Sequence, residues 1–452
     1  MKMLRFGLFE NAQANDSGTA TWRHPANERD HFESLDYWVK IARMCEDARL
    51  DFLFLADAWG WSEVDGERLP ISSEEGLDLP RLDPAIVAAA LVAATTRLGL
   101  VVTGSTLLEQ PYSFARRMAT LDHISKGRVG WNVVTTGTAE TAVEAFGMPM
   151  VAHDKRYDMA DDFMEVVYKL WEGCWEPDAL ERDKAGRYAD PAKVHRIEHE
   201  GPFFRSRGYG NTSYSPQGTP VLFQAGSSDR GRKFGGTHGE CIFLGGSPSK
   251  LPDQVRAIRA EAVAAGRSAD SVKIMSAFSC VVGATREEAQ RKFELILESQ
   301  RPEVAVASYA MFTGLDLSSY APDTPMTELH TEMSQTQVQR FAGLTVGDVL
   351  KDWHAYGVRG KPVVGTAEDV ADAMCELAER ADLDGFLLTP VVQPMSTVDF
   401  VEQVLPILRE RGVAAQDYQG ESLRERLVGT PSPVLRDDHP GAAYRAQLAA
   451  AR

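Results

Sequence analysis

The chain has 452 residues, of which 44% are hydrophobic and 25% are charged, the composition of an ordinary globular protein. Its 65 acidic and 48 basic residues give a formal net charge of −17, which disfavours binding to nucleic acids and to acidic membranes. No apolar run reaches the roughly 18 residues that a membrane-spanning helix needs, and the N-terminus does not have the pattern of a signal peptide. The five cysteines form no CxxC pair, so we expect neither a disulfide framework nor a zinc site, and we expect a cytoplasmic location.

The first part of the chain alternates short apolar runs with longer amphipathic stretches, which predicts strand–helix units. Strands are predicted at residues 4–10, 51–56, 98–104 and 128–135. Helices are predicted at residues 35–48, 84–95, 111–124 and 156–175, the second of them capped by Asp83 with a proline at an early position. The charged, proline- and glycine-rich stretch 176–218 breaks this rhythm and is predicted to be an insertion.

The same rhythm returns in the second half of the chain. Strands are predicted at residues 219–225, 241–244, 272–282 and 384–389, and helices at 227–237, 252–265, 286–299, 368–380 and 398–411. A second irregular stretch, 301–362, is the candidate for a lid that orders over a ligand. The tail after residue 412 is predicted to wrap over the body of the protein or over a partner subunit.

Eight strand–helix units in succession predict an α/β protein with a closed (β/α)8 barrel. We assign residues 1–412 to a single barrel domain, with insertions at about 176–218 and 301–362, after strands 4 and 7, and residues 413–452 to a C-terminal extension. The alternative is an open doubly wound sheet, but no GxGxxG pattern follows the first strand, as a dinucleotide-binding sheet of that kind would require.

Polar residues follow several predicted strands, and in a barrel the functional site lies at the carboxyl ends of the strands. These residues are Asp57, Thr103, Ser105, Asn132 and the stretch from Gln224 to Ser228. Most are neutral hydrogen-bonding groups, which suit a heterocycle with carbonyl and ring-nitrogen edges but make poor acid–base machinery. A cofactor that brings its own reactivity is therefore expected.

The residues after the fifth strand suit a bound anion. Ser227, Ser228 and two arginines stand where a helix begins, and free backbone N–H groups at a helix N-terminus attract phosphate. The alternative is that Ser228 only caps that helix. His153 and Tyr157, four residues apart at the predicted start of another helix, could bind phosphate or substrate, or could be structural.

Two other kinds of site are not predicted. His195 and His199 are also four residues apart, but they lack an HExxH pattern, so we expect no metal ion there. No GxSxG motif is present to supply the nucleophile of a serine hydrolase.

Several long motifs resemble one family. They are RRMATLDHISKGRVGWNVVT at 116–135, HDKRYDMADDFMEVVYKLWE at 153–172 and SPQGTPVLFQAGSSDRGRKF at 215–234, with shorter matches such as DFLFLAD at 51–57 and DGFLLTP at 384–390. The chain resembles the bacterial-luciferase-like flavin monooxygenases, within the group of nitrilotriacetate monooxygenase, dibenzothiophene-sulfone monooxygenase and pristinamycin synthase. The tail, with Tyr418-Gln419-Gly420, is similar to that of long-chain alkane monooxygenase.

The resemblance implies a two-component monooxygenase that is a homodimer or homotetramer. Reduced FMN would arrive by diffusion from a separate NAD(P)H:flavin reductase, and O2 would add to it to give a flavin peroxide that attacks a small-molecule substrate. The FMN contacts that the resemblance implies are Asp57, Thr103 or Ser105, Asn132, His153, Tyr157, Ser227 and Ser228.

The substrate is predicted from the pocket candidates Gln13, Trp59 and Gly137. The loop at 10–21 is small and polar, Gly137 leaves space, and Trp59 and Trp61 could form an aromatic wall. These features favour a compact aromatic, heterocyclic or organosulfur substrate over a long alkane. Two alternatives stay open: an F420-dependent oxidoreductase of the same superfamily, and a flavin-binding barrel without catalytic activity.

Overall fold

The computed structural model describes residues 2–15, 18–64, 66–136, 139–226, 228–331 and 335–450. Eight parallel strands form a closed barrel in which neighbours in space are also neighbours in sequence. Numbered along the chain, they are β1 (Arg5–Asn11), β2 (Phe52–Ala56), β3 (Gly99–Ser105), β4 (Val129–Val134), β5 (Val221–Gln224), β6 (Cys241–Leu244), β7 (Lys273–Phe278) and β8 (Gly385–Leu388). The predicted (β/α)8 barrel is confirmed, and the open-sheet alternative is wrong.

Helices surround the barrel and fill the segments between its strands. Those of the barrel are Leu35–Asp47, Pro84–Val92, Pro111–Ser125, His153–Glu172, Asp229–His238, Leu251–Ala264, Arg286–Glu298, Ala367–Ala381, Met395–Asp399 and Leu405–Glu410, the last two joined by a π-helical turn at Phe400–Val404. Further helices are Pro70–Glu74, Ala139–Ala145, Glu303–Thr313, Gln335–Arg340, Val346–Tyr356, Leu423–Val428 and Ala442–Ala450. Asp83 caps its helix as predicted, because its carboxylate accepts hydrogen bonds from the backbone N–H groups of Ala85 and Ile86.

Strand β7 is shorter than predicted. The barrel strand ends at Phe278, and Cys280–Val282 forms a separate strand that pairs in parallel with Val363–Gly365, outside the barrel. The chain turns out of the barrel at Ser279, whose hydroxyl lies 2.6 Å from the Thr389 hydroxyl at the end of β8. The single apolar run at 272–282 therefore serves two different sheets.

The helix predicted at 156–175 begins and ends three residues earlier than expected. It spans His153–Glu172, and Gly173 terminates it. His153, which lies outside the predicted helix, is therefore its first residue, and Tyr157 follows one turn later.

The two predicted insertions and the tail have distinct structures. The first insertion carries an antiparallel hairpin, Ile197–Glu200 with Arg205–Gly208. The second, after β7, has a small core of its own around Trp353 and Tyr309, whose rings meet edge to face at 5.0 Å. In the tail, the helix Leu423–Val428 packs against the apolar interior of the barrel at the amino ends of the strands. Within the described residues, no helix is long and apolar enough to cross a membrane.

Candidate active site

A cavity of about 230 Å³ opens at the carboxyl ends of β1 and β2. Its walls include Phe9 and Asn11 of β1, Gln13 and Asp57 directly after the strands, Trp61 and Arg81 from the β2 loop, and Met311 and Phe312 from the second insertion. A neighbouring cavity of about 320 Å³ shares Trp61 and Met311 with it. The site therefore lies where a barrel enzyme carries its chemistry, and the predicted lid segment forms part of its roof.

Two of the three predicted pocket residues can be located. Gln13 is buried in the wall of the first cavity. Trp59 does not line either cavity as the described residues define them, and the tryptophan that does is Trp61. Gly137 lies outside the described residues. Trp61 is held by Thr141, whose hydroxyl bonds to both its backbone N–H at 3.0 Å and its carbonyl oxygen at 2.9 Å.

Asp57 and Arg81 form a buried pair of opposite charges in the first cavity. Arg81 Nη1 lies 3.7 Å from Asp57 Oδ1, and their side chains are only 13% and 9% exposed. Burial raises the pKa of Asp57 to about 7, and the Arg81 guanidinium opposes that rise only in part. The site thus holds a group that titrates near neutral pH, which differs from the predicted lack of acid–base machinery.

Thr103 and Asn132 form a second polar pair, on the adjacent strands β3 and β4. The Thr103 hydroxyl donates to the Leu55 carbonyl at 3.0 Å and accepts from Asn132 Nδ2 at 3.0 Å. Asn132 Oδ1 and Gln224 Oε1 are buried without a hydrogen-bond partner in the described part of the chain. An unpaired buried acceptor is unfavourable, so these two oxygens are suited to N–H groups of a bound ligand.

Ser105 has a different environment from Thr103. Its hydroxyl lies 2.6 Å from the Thr136 hydroxyl and accepts hydrogen bonds from the backbone N–H groups of Leu107 and Leu108, both at 3.2 Å. Thr136 has a φ of 67°, a strained value for a β-branched residue, and its carbonyl accepts a hydrogen bond from Arg156. Ser105 therefore links the loop that follows β3 to the loop that follows β4.

Tyr157 and Ser228 lie together at the start of the helix Asp229–His238. The Ser228 hydroxyl caps the helix by accepting from the Gly231 N–H at 3.1 Å. A Cβ atom at Gly226 or at Gly231 would lie within 2.8 Å of the Tyr157 hydroxyl, so only glycine leaves that hydroxyl its place. Ser227 lies outside the described residues.

Charged and aromatic groups lie beside the start of this helix. The His153 and Tyr157 rings meet edge to face at 5.3 Å, and the Arg230 guanidinium lies 5.4 Å from the centre of the Tyr157 ring. Arg230 is held by Asp158 at 3.1 Å and Asp161 at 2.5 Å. A helix N-terminus, two aromatic side chains with polar atoms and a fixed arginine together fit a phosphate group.

The two histidines of the first insertion do not share a site. His195 Nε2 lies 2.8 Å from Glu176 Oε1, whereas His199 Nε2 lies 2.8 Å from Asp162 Oδ1. Asp162, Glu165 and His199 are close enough to hold a metal ion. However, the Lys169 ammonium lies 3.1 Å from the other ring nitrogen of His199, which places a positive charge where a cation would bind. We read the group as an ion-pair network.

Sequence reasoning missed the residues that loops bring into the site. Arg81 stands alone in a loop between the short helix Pro70–Glu74 and the helix Pro84–Val92, and no spacing pattern marks it. Met311 and Phe312 come from an insertion more than 250 residues away from Asp57 along the chain. Only the tertiary structure brings these side chains to one cavity.

Comparisons with known proteins extend over nearly the whole chain. The sequence matches the family model for luciferase-like monooxygenases over residues 1–383. It is similar to dimethyl-sulfide monooxygenase of Hyphomicrobium sulfonivorans, with 37% identity over 98% of this chain and 94% of the relative. It is also similar to long-chain alkane monooxygenase of Geobacillus thermodenitrificans, with 39% identity over 98% of both proteins. A crystal structure of riboflavin lyase with modified FMN and the substrate riboflavin is more similar still: identity is 79%, 99% of this chain and 100% of that chain are covered, and the TM-score is 0.96.

Proposed function

The chain belongs to the luciferase-like monooxygenase family, and we propose that it is a member that cleaves riboflavin with reduced FMN and O2. Family membership confirms the predicted enzyme class, a flavin-dependent monooxygenase. The observation that carries the proposed substrate is the 79% identity, over 99% of this chain, to a riboflavin lyase. It supports the preference for a compact heterocyclic substrate over a long alkane.

The site has the space that such a reaction needs. The two cavities, of about 230 and 320 Å³, share Trp61 and Met311 in their walls, and we assign one flavin ring system to each. Phe9, Phe312 and Trp61 provide apolar and aromatic surface for ring stacking. Glu140 and Thr141 in the wall of the larger cavity provide polar groups for a hydroxylated chain.

The residues present fit FMN. We assign its phosphate to the seat formed by His153, Tyr157 and Ser228, where the helix N-terminus favours negative charge. We assign its ring to the carboxyl ends of β2 to β4, where Asn132 Oδ1 is buried and unpaired, Asn132 bonds to Thr103, and Asp57 lines the first cavity. Reduced FMN, supplied by a separate NAD(P)H:flavin reductase, provides the two electrons with which O2 transfers one oxygen atom to a substrate and releases the other as water.

The bond that breaks follows from the structure of riboflavin. Oxygen insertion at the carbon through which the ribityl chain joins ring nitrogen N10 gives a hemiaminal, which collapses with transfer of a proton to the ring. The products are lumichrome and ribose, and the atoms of riboflavin plus one oxygen account for both. The protein's part is to place that carbon beside the flavin and to exclude water, for which Met311 and Phe312 of the second insertion form a roof.

The test is an assay for lumichrome. The purified protein is mixed anaerobically with chemically reduced FMN and riboflavin, O2 is added, and the products are separated chromatographically. All steps are carried out in the dark, because light alone cleaves riboflavin. We expect lumichrome and ribose only when protein, reduced FMN and O2 are all present. Unchanged riboflavin, together with oxidation of dimethyl sulfide or an alkane under the same conditions, would contradict the proposed substrate.

A further inference from the structure

Arg81 makes its short hydrogen bonds to neutral acceptors rather than to the nearby carboxylate. Its Nε and Nη2 donate to Gln13 Oε1 at 3.1 and 2.7 Å, and its Nη1 donates to the Ala58 carbonyl. Gln13 is itself fixed, since its Nε2 donates to the Asn15 carbonyl at 3.0 Å. These neutral acceptors hold the guanidinium, while Asp57 Oδ1 lies 3.7 Å from its Nη1.

The two carboxylate oxygens of Asp57 differ in their hydrogen bonds. Its Oδ1 accepts from the Ala58 N–H at 2.9 Å, while Oδ2 accepts no hydrogen bond from the residues that the structure describes. Both Asp57 and Arg81 face the first cavity. A carboxylate that lines a cavity beside a fixed cation is suited to a ligand N–H group.

Two other carboxylates lie near this pair, Asp83 and Asp78. Asp83, at the N-cap of the following helix, raises the pKa of Asp57 by its negative charge, after burial has raised it most. Asp78 faces Arg81 in the same cavity wall and is held by its own partner, Arg68. Among the described residues, Arg81 is the positive charge that acts directly on Asp57.

We propose that Arg81 is a positioning residue that favours the ionised form of Asp57, so that the Asp57 carboxylate accepts a ring N–H of a flavin bound in the cavity. The inference rests on the proposed function only in taking a flavin as the ligand. The imide edge of an isoalloxazine ring carries one N–H between two carbonyl groups, and a carboxylate accepts that proton in a charge-assisted bond. A protonated Asp57 accepts it much less strongly, so flavin affinity depends on what Arg81 does to the carboxyl group.

The experiment measures affinity against pH. Binding of lumichrome, which lacks the phosphate of FMN that itself titrates at about pH 6, is followed by fluorescence quenching between about pH 5 and about pH 9, without reductase or turnover. For the unmodified protein we expect affinity to rise with pH, with a midpoint near the pKa of Asp57, about 7. Arg81→Met should move the midpoint upward by about one unit or more, since an adjacent opposite charge typically shifts a pKa by that amount. Arg81→Lys, which keeps the charge, should have a midpoint close to that of the unmodified protein.

Two variants separate this role from a general effect on the loop. Arg301→Met removes an arginine–glutamate contact to the nearby short helix Pro70–Glu74 without touching Asp57, Asp78 or Arg81, and should leave the midpoint unchanged. Asp57→Asn should abolish the pH dependence and weaken binding at high pH by about tenfold. If Arg81→Met does not fold, Arg81→Gln, which keeps a hydrogen-bond donor toward Gln13 but removes the charge, should shift the midpoint in the same direction.

The outcomes distinguish the inference from the proposed function. An unchanged midpoint in Arg81→Met, or a midpoint that persists in Asp57→Asn, would overturn the inference alone. A shifted midpoint without any cleavage of riboflavin would uphold the inference and overturn the proposed function. Absence of flavin binding by the unmodified protein at every pH would overturn both.

Discussion

The two ends of the barrel each bury an arginine beside a carboxylate. The two groups form direct hydrogen bonds at one end and stay farther apart at the other. At the amino ends of the strands, Arg424 of the tail helix binds Glu240 through two hydrogen bonds of 2.7 and 2.9 Å. The rest of its guanidinium donates to the carbonyl oxygens of Gln217, Thr219 and Pro433, at 2.6 to 3.1 Å. At the carboxyl ends, Arg81 and Asp57 remain 3.7 Å apart.

The two carboxyl groups respond in opposite directions. Burial favours the neutral form of both, but the Arg424 guanidinium outweighs it and holds the pKa of Glu240 below its usual value. At Asp57 burial prevails over Arg81, and the pKa rises to about 7. The Arg424–Glu240 pair at the amino end is therefore fully hydrogen-bonded, while the carboxyl end retains a titratable group in a cavity wall.

Breaking the Arg424–Glu240 pair should have the largest effect. Arg424→Met leaves Glu240 charged, buried and unpaired, which should lower the free energy of unfolding by about 3–5 kcal/mol. Urea unfolding followed by tryptophan fluorescence measures this loss. The double variant Arg424→Met/Glu240→Gln removes both charges and should recover a large part of it. A loss under about 1 kcal/mol in the single variant would show that the pair does not stabilise the barrel.

At the carboxyl ends of the strands, removing the charge of Asp57 should stabilise the protein. Because the pKa of Asp57 is raised on folding, from 3.8 to about 7, the folded state binds the proton more tightly, and stability falls as pH rises through that interval. The deficit is fully present above about pH 7. Asp57→Asn removes this deficit. At about pH 8 the free energy of unfolding of the variant, measured by urea denaturation, should therefore exceed that of the parent by at most about 4 kcal/mol.

A control for this prediction is the pH at which it is measured. At about pH 4 the parent carboxyl is largely neutral, and the advantage of Asp57→Asn should disappear. Glu240→Gln should have the opposite sign at about pH 8, since it removes the partner of a buried arginine. A destabilised Asp57→Asn at high pH would mean that Arg81 pairs with Asp57 more strongly than the 3.7 Å separation indicates.

The same contrast explains what could be predicted from sequence. Apolar runs locate all eight barrel strands, because parallel strands are buried on both faces, and Asp57 is found because it directly follows one of them. The run at 272–282 misleads, because two separate strands can share one apolar run. Local patterns do not show where a loop side chain is directed, so the contact of Arg81 with Gln13 is invisible until the fold is known.

The tail illustrates a second limit. Its weak periodicity gave only the expectation that it wraps over the body or over a partner subunit. In the structure, Leu423 packs into the barrel interior, and the Arg424 backbone N–H donates to the Gln217 side chain at 3.2 Å. A six-residue helix, Leu423–Val428, is too short for an amphipathic pattern to be read with confidence from sequence.

The smallest predicted effect compares two serine caps at opposite ends of the barrel. Ser228 caps Asp229–His238 beside the proposed phosphate seat, and Ser422 caps Leu423–Val428 in the tail. Alanine at either position should lower the free energy of unfolding by about 1 kcal/mol.

Ser228→Ala should also weaken binding of FMN severalfold without changing that of lumichrome, which has no phosphate. The reason is that the hydroxyl and the N–H groups that it orders would face the anion. Ser422→Ala should change neither affinity. If Ser228→Ala weakens FMN and lumichrome equally, or neither, then Ser228 is a helix cap alone and the phosphate is held elsewhere.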